Sequence, residues 1–134
     1  MAYADTNLFV GLLAGPDHAL HDPALEVFRR VADGALRLIV TPIVVAELVY
    51  VTSSLFTWTR SATAERLGSL LEADGLAITE RNVIEQALQL YREHSRLDFA
   101  DAYLAAIALE VGPAAVASFD SDLDSVTGIR RIST

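Results

Sequence analysis

Five short, mostly apolar runs set the frame of this chain: Ala2–Ala4, Leu36–Val40, Leu76–Ile78, Ala115–Phe119 and Ile129–Ile132. They are too short for helices, and most lack the polar–apolar alternation of a sheet with one wet face. Between them lie longer stretches whose apolar residues recur every three or four positions. Strands buried on both sides and separated by helices require a parallel sheet with helices packed over each face. At 134 residues the chain is expected to form one domain, 1–134, with a core of ordinary size. In such sheets ligands sit beyond the carboxyl ends of the strands, so the residues that end each run matter most.

Local signals place the helices. Leu8–Ala14 stops at Gly15-Pro16. Asp22-Pro23 reads as an N-cap followed by proline at the first helical position, with Leu25, Phe28, Val31 and Ala32 on one face and Gly34 as the stop. Thr41-Pro42 repeats the cap-and-proline start. Ser61–Asp74 closes at Gly75, and Glu80–His94 carries Val83, Ala87, Leu90 and Tyr91 on one face. Asp98 caps a helix that runs to Glu110 and ends at Gly112-Pro113.

Composition removes several classes of chemistry. There is no cysteine, so disulfides, zinc thiolate sites, iron–sulfur clusters and cysteine nucleophiles are excluded. All ten basic residues are arginine, which rules out any mechanism that needs a lysine. No basic segment precedes the N-terminal apolar run, and Glu47 and Glu110 interrupt the other apolar runs well short of the ~20 residues a membrane span needs. A cytoplasmic protein without membrane contact is the expectation. The net charge of −8 argues against a nucleic-acid partner.

Four acids stand where a surface residue is not needed. Asp5 and Asp120 end strands, and Asp5 lies among apolar neighbours that would make an ionised carboxylate costly to bury. Glu47 is the single charge in P-I-V-V-A-E-L-V-Y-V, and Asp101 lies one turn inside the helix that Asp98 begins. Each alone has an ordinary structural reading. Asp98 is an N-cap, Asp101 suits the helix dipole, Asp120 suits a turn, and Glu47 could reach solvent at a helix edge. Together they describe carboxylates converging on one crevice, where each raises its neighbours' pKa unless a cation intervenes. Mg²⁺ and Mn²⁺ take such hard oxygen ligands, and the expected metal ligands are Asp5, Asp101 and Asp120. Glu47 is expected to position or deprotonate the attacking water. Asp98 is assigned to capping and Asp122 to a supporting place beside the site.

Other acid-rich sites fit less well. D-S-D-L-D-S (Asp120–Ser125) begins like a calcium loop, but Ser125 stands where the glycine belongs and Arg131 where the closing glutamate belongs. Receiver domains and haloacid-dehalogenase-type phosphatases normally need a lysine. No G-x-x-x-x-G-K or G-x-G-x-x-G loop is present, and His18, His21 and His94 show no H-E-x-x-H spacing.

With Y-A-D-T-N at the start, Glu47 after a Thr-Pro, D-F-A-D-A-Y-L-A-A-I-A at 98–108 and S-F-D-S-D-L at 118–123, the chain resembles the PIN-domain ribonucleases, and within them the VapC-type toxins. The resemblance covers essentially the whole chain in order and length. It implies a three-layer α/β/α sandwich around a parallel sheet and Mg²⁺- or Mn²⁺-dependent cleavage of single-stranded RNA. It also implies a homodimer and neutralisation by a cognate antitoxin. Asp5, Glu47, Asp101 and Asp120 match the family's acids, while Thr6 and Asn7 match its supporting polar pair. In that family the antitoxin lies along the region of Ser53–Arg60, which holds Phe56 and Trp58.

Binding RNA at a net charge of −8 calls for local basic patches, for which Arg29-Arg30, Arg92 with Arg96, and Arg130-Arg131 are available. Two rival functions remain. A structure-specific DNA nuclease would need an arch or clamp insertion that a chain this short lacks. A catalytically inactive binding module would be expected to have lost an acid, and all four are present.

Overall fold

The computed structural model describes residues 1–133. Its strands are β1 (Ala2–Tyr3), β2 (Leu38–Val40), β3 (Leu76–Ile78), β4 (Ala115–Ala117) and β5 (Arg130–Ile132). Six helices accompany them: α1 (Thr6–Ala14), α2 (His21–Ala32), α3 (Pro42–Ser54), α4 (Arg60–Leu71), α5 (Arg81–Glu93) and α6 (Phe99–Glu110). A 3-10 turn at Ser121–Ser125 links β4 to β5. The architecture is the three-layer α/β/α sandwich.

Every strand pairing is parallel as expected, but burial is uneven: β2 and β3 lie inside, whereas both residues of β1 and Arg130 and Ile132 of β5 are exposed. Ala2 pairs with Leu38, Leu38 with Leu76, and Ala115 with Arg130. The ladders are two rather than one continuous sheet, β1-β2-β3 and β4-β5. The parallel register brings the carboxyl ends of β1, β2 and β3 to one rim, where the chain continues into Asp5, Thr41 and Thr79-Glu80.

The core gathers the apolar faces of these elements. Phe9, Val40, Val45, Leu48, Leu67, Ile84 and Leu97 are almost wholly excluded from solvent. Val83, Ala87, Leu90 and Tyr91 are all buried, as the spacing along α5 requires. On α2, Val31 is buried, and half-buried Phe28 packs its ring against Phe9 at 5.6 Å. Gly75, at φ +89°, lets β3 begin against α2, because a Cβ there would lie 2.5 Å from the Val31 side chain.

Several boundaries depart from expectation. α2 starts at His21, so Asp22 lies in its first turn instead of capping it. His21 Nδ1 lies 2.9 Å from the Gly11 carbonyl, an anchor to α1 that displaces the cap. α4 runs from Arg60 to Leu71 and ends before Asp74, capped by the Thr59 hydroxyl 3.1 Å from the Ala62 amide. β4 ends at Ala117, which leaves Phe119 outside the strand and 88% exposed.

Candidate active site

Asp98 caps α6 as its position suggests: its Oδ1 accepts the Asp101 amide at 2.8 Å. That bond fixes the first turn of α6 and with it the half-buried Asp101. Asp120, at the carboxyl end of β4, accepts the Asp122 amide at 2.9 Å, and its own amide donates to Ser118 Oγ at 3.0 Å. The two elements meet at Asp101. Its carboxyl pKa is pushed up from 3.8 to about 6, first by loss of solvent and then by the charges of Asp98 and Asp120. Three expected site residues therefore share one electrostatic environment.

A second pair joins α1 to α3. Thr6, buried at the first position of α1, donates its hydroxyl to Glu47 Oε2 at 2.7 Å and so ties α1 to α3. Glu47 is exposed, with one carboxylate oxygen engaged by that hydroxyl. Asn7 is exposed too. Asp5 departs from expectation: it is exposed, not buried among its apolar neighbours, and its side chain caps nothing at the start of α1. β1 ends two residues before it, so Asp5 lies past the core on the strand-end rim.

Asp122 turns elsewhere. Its carboxylate lies 3.8 Å from Arg96, in a polar cleft shared with His94, Ser121 and Ser125. One arginine of each other cluster is paired: Arg29 with Glu26 at 3.2 Å and Arg131 with Asp124 at 2.8 Å. Phe56 and Trp58 pack on each other at 5.9 Å, with Arg66 4.6 Å above the Trp58 ring.

Sequence reasoning passed over two residues at this rim. Glu80 follows β3 by two positions, in the left-handed region at φ +57°, and accepts the Tyr103 hydroxyl at 2.8 Å. The strand-end rule that singled out Asp5 applies equally to Glu80. Arg60 reaches from the start of α4 to the carbonyls of Tyr91 (2.9 Å), His94 (3.1 Å) and Leu97, and stacks 4.2 Å from the Tyr91 ring centre. It ties down the α5–α6 turn that delivers Asp98.

A family model described as PIN domain matches residues 2–129. The chain belongs to the PIN-domain family. No curated protein matches it significantly. The PIN domain points to a nuclease, a hydrolase acting on nucleic acid, and PIN domains generally use divalent metal ions. Among the described residues, no helix is long and apolar enough to cross a membrane.

The residues of this PIN domain fit such an ion by chemistry. Asp5, Asp101 and Asp120 offer hard carboxylate oxygens. Asp101 is raised first by loss of solvent and then by the charges of Asp98 and Asp120, and a cation would relieve the second of these. Among the described residues, no three acidic or histidine side chains are drawn together closely enough to form a metal site.

Proposed function

We propose that this PIN domain is a divalent-metal-dependent endoribonuclease, the VapC-type toxin of a toxin–antitoxin pair, hydrolysing phosphodiester bonds in single-stranded or loop RNA. The observation that supports this reading is Asp101, half-buried in the first turn of α6, whose carboxyl is raised to about 6 by loss of solvent and by the neighbouring charges of Asp98 and Asp120. Asp5, Asp101 and Asp120 would hold Mg²⁺ or Mn²⁺, which when bound activates water and offsets the charge that builds on a phosphodiester under attack. Thr6 engages one oxygen of Glu47 and leaves the other to orient a water and take its proton. Asp98 aims the first turn of α6, and the Asp122 amide steadies Asp120.

Surface features support the partners of a toxin. Leu55 is 72% exposed within Val51–Trp58, where an antitoxin helix would lie, and a basic antitoxin side chain would complement the acids. An apolar cleft of about 590 Å³ beside α3 and α6, with Ile43 71% exposed at its edge, suits a homodimer contact. Such a toxin would act in the cytoplasm. The test is incubation of purified protein with defined structured and unstructured RNAs, and with single-stranded DNA, in Mg²⁺, Mn²⁺ or EDTA. Cleavage of RNA that depends on the metal is expected; cleavage insensitive to EDTA, or of DNA alone, would contradict the proposal.

A further inference from the structure

Phe119 is the most exposed large apolar side chain of the described residues, at 88%, and it immediately precedes Asp120. An isolated exposed aromatic is unremarkable on a loop that is free to move. Here both flanking residues are fastened. The Ser118 amide donates to the Ile132 carbonyl at 2.9 Å, and Arg131 Nη1 donates to the Ser118 carbonyl at 3.1 Å. Arg131 is itself gripped by both Asp124 oxygens, at 2.8 and 3.1 Å. On the other side the Asp120 amide is held by Ser118 Oγ at 3.0 Å, and the Asp120 carboxylate by the Asp122 amide at 2.9 Å. The backbone beneath the ring is thus anchored on both sides while the ring stays in water, one residue from an acid of the site.

The electrostatics of the chain sharpen what such a ring could do. At a net charge of −8, with Arg131 paired to Asp124 beside this loop and Arg60 spent on backbone carbonyls, the chain as a whole repels phosphate. Stacking on bases needs no positive charge, and every base offers a face to an aromatic ring. We infer that Phe119 is a stacking platform for one unpaired nucleobase of the substrate, beside the phosphodiester presented to Asp101 and Asp120. A base inside a duplex has both faces covered, so this platform selects unpaired strands. The inference rests on the nuclease reading and adds to it the element that selects single strands.

The test measures dissociation constants of short fluorescent single-stranded RNAs, with Ca²⁺ as the divalent ion, for wild type, Phe119→Ala, Phe119→Leu and Phe119→Tyr. Because the ring is exposed, all four proteins should melt alike. Phe119→Ala and Phe119→Leu are expected to bind roughly ten- to a hundred-fold more weakly, and Phe119→Tyr like wild type. In a set of RNAs each carrying one abasic position, one should bind wild type and Phe119→Ala equally. Unchanged affinity in Phe119→Ala would overturn the inference. So would an absence of single-strand binding by wild type, or rescue by leucine, which would mark an apolar protein contact instead. Tight Phe119-dependent binding without cleavage in Mn²⁺ would overturn the nuclease reading and leave the stacking platform standing.

Discussion

The acidic rim has two halves that solve the same electrostatic problem differently. Where α1 meets α3, Glu47 faces a neutral donor, the Thr6 hydroxyl, at 2.7 Å. Where α6 meets β4, Asp101 faces Asp98 and Asp120, and its pKa rises to about 6. A carboxylate held by a hydroxyl is oriented at little electrostatic cost, which suits a group that guides a proton. Carboxylates crowded against each other are destabilised as anions, which suits groups waiting for a cation. We propose on this difference that Glu47 handles the proton, while Asp101 and Asp120 hold the metal together with Asp5 at the start of α1.

Substitutions should separate the halves. Asp101→Asn is expected to abolish RNA cleavage, a loss of about a hundred-fold or more, with the fold intact by circular dichroism. Glu47→Gln should lower kcat roughly a hundred-fold and leave RNA affinity nearly unchanged in a binding assay. If Glu47→Gln weakened binding but spared single-turnover cleavage, the contrast between the halves would collapse.

A smaller effect is expected on stability without metal. Asp101 has its folded pKa raised above the unfolded value of 3.8, so the folded state binds the proton more tightly. The stability from this group is fully present below about pH 3.8 and is lost as pH rises through about 6. Thermal melts in EDTA should show this decline in wild type and not in Asp101→Asn, which should be the more stable protein above pH 6. An identical pH profile for the two would deny the crowding.

Asp98→Asn should have the smallest effect, since asparagine also caps helices well and costs at most a few tenths of a kcal/mol. It should keep activity and lower the pH at which Asp101 loses its proton, read from the same melts. Loss of metal affinity in this variant would move Asp98 from the cap into the metal shell.

The legible parts of the molecule were those governed by neighbours in the chain. The Asp98 cap, the apolar face of α5 and the parallel pairing all follow from short-range pattern, and all appear in the structure. The apolar sequence neighbours of Asp5 suggest burial, but β1 ends two residues before it and the chain leaves it exposed at the strand end. Composition places Phe119 in a strand, but β4 ends at Ala117 and the Asp120 amide turns back to Ser118 Oγ. Arg60 could not be read at all, because its carbonyl partners lie 31 to 37 positions away. Contacts at that separation leave no periodic trace in the sequence.

The most direct test of the central claim is calorimetric titration of Mn²⁺ into wild type and the Asp5→Asn, Asp101→Asn, Asp120→Asn, Asp98→Asn and Asp122→Asn variants. The expected result is binding by wild type, severe weakening in the Asp5, Asp101 and Asp120 variants, and near-native affinity in the other two. Weakened binding in the Asp98 and Asp122 variants, with Asp101→Asn and Asp120→Asn unaffected, would contradict the assignment of this half of the rim to the metal.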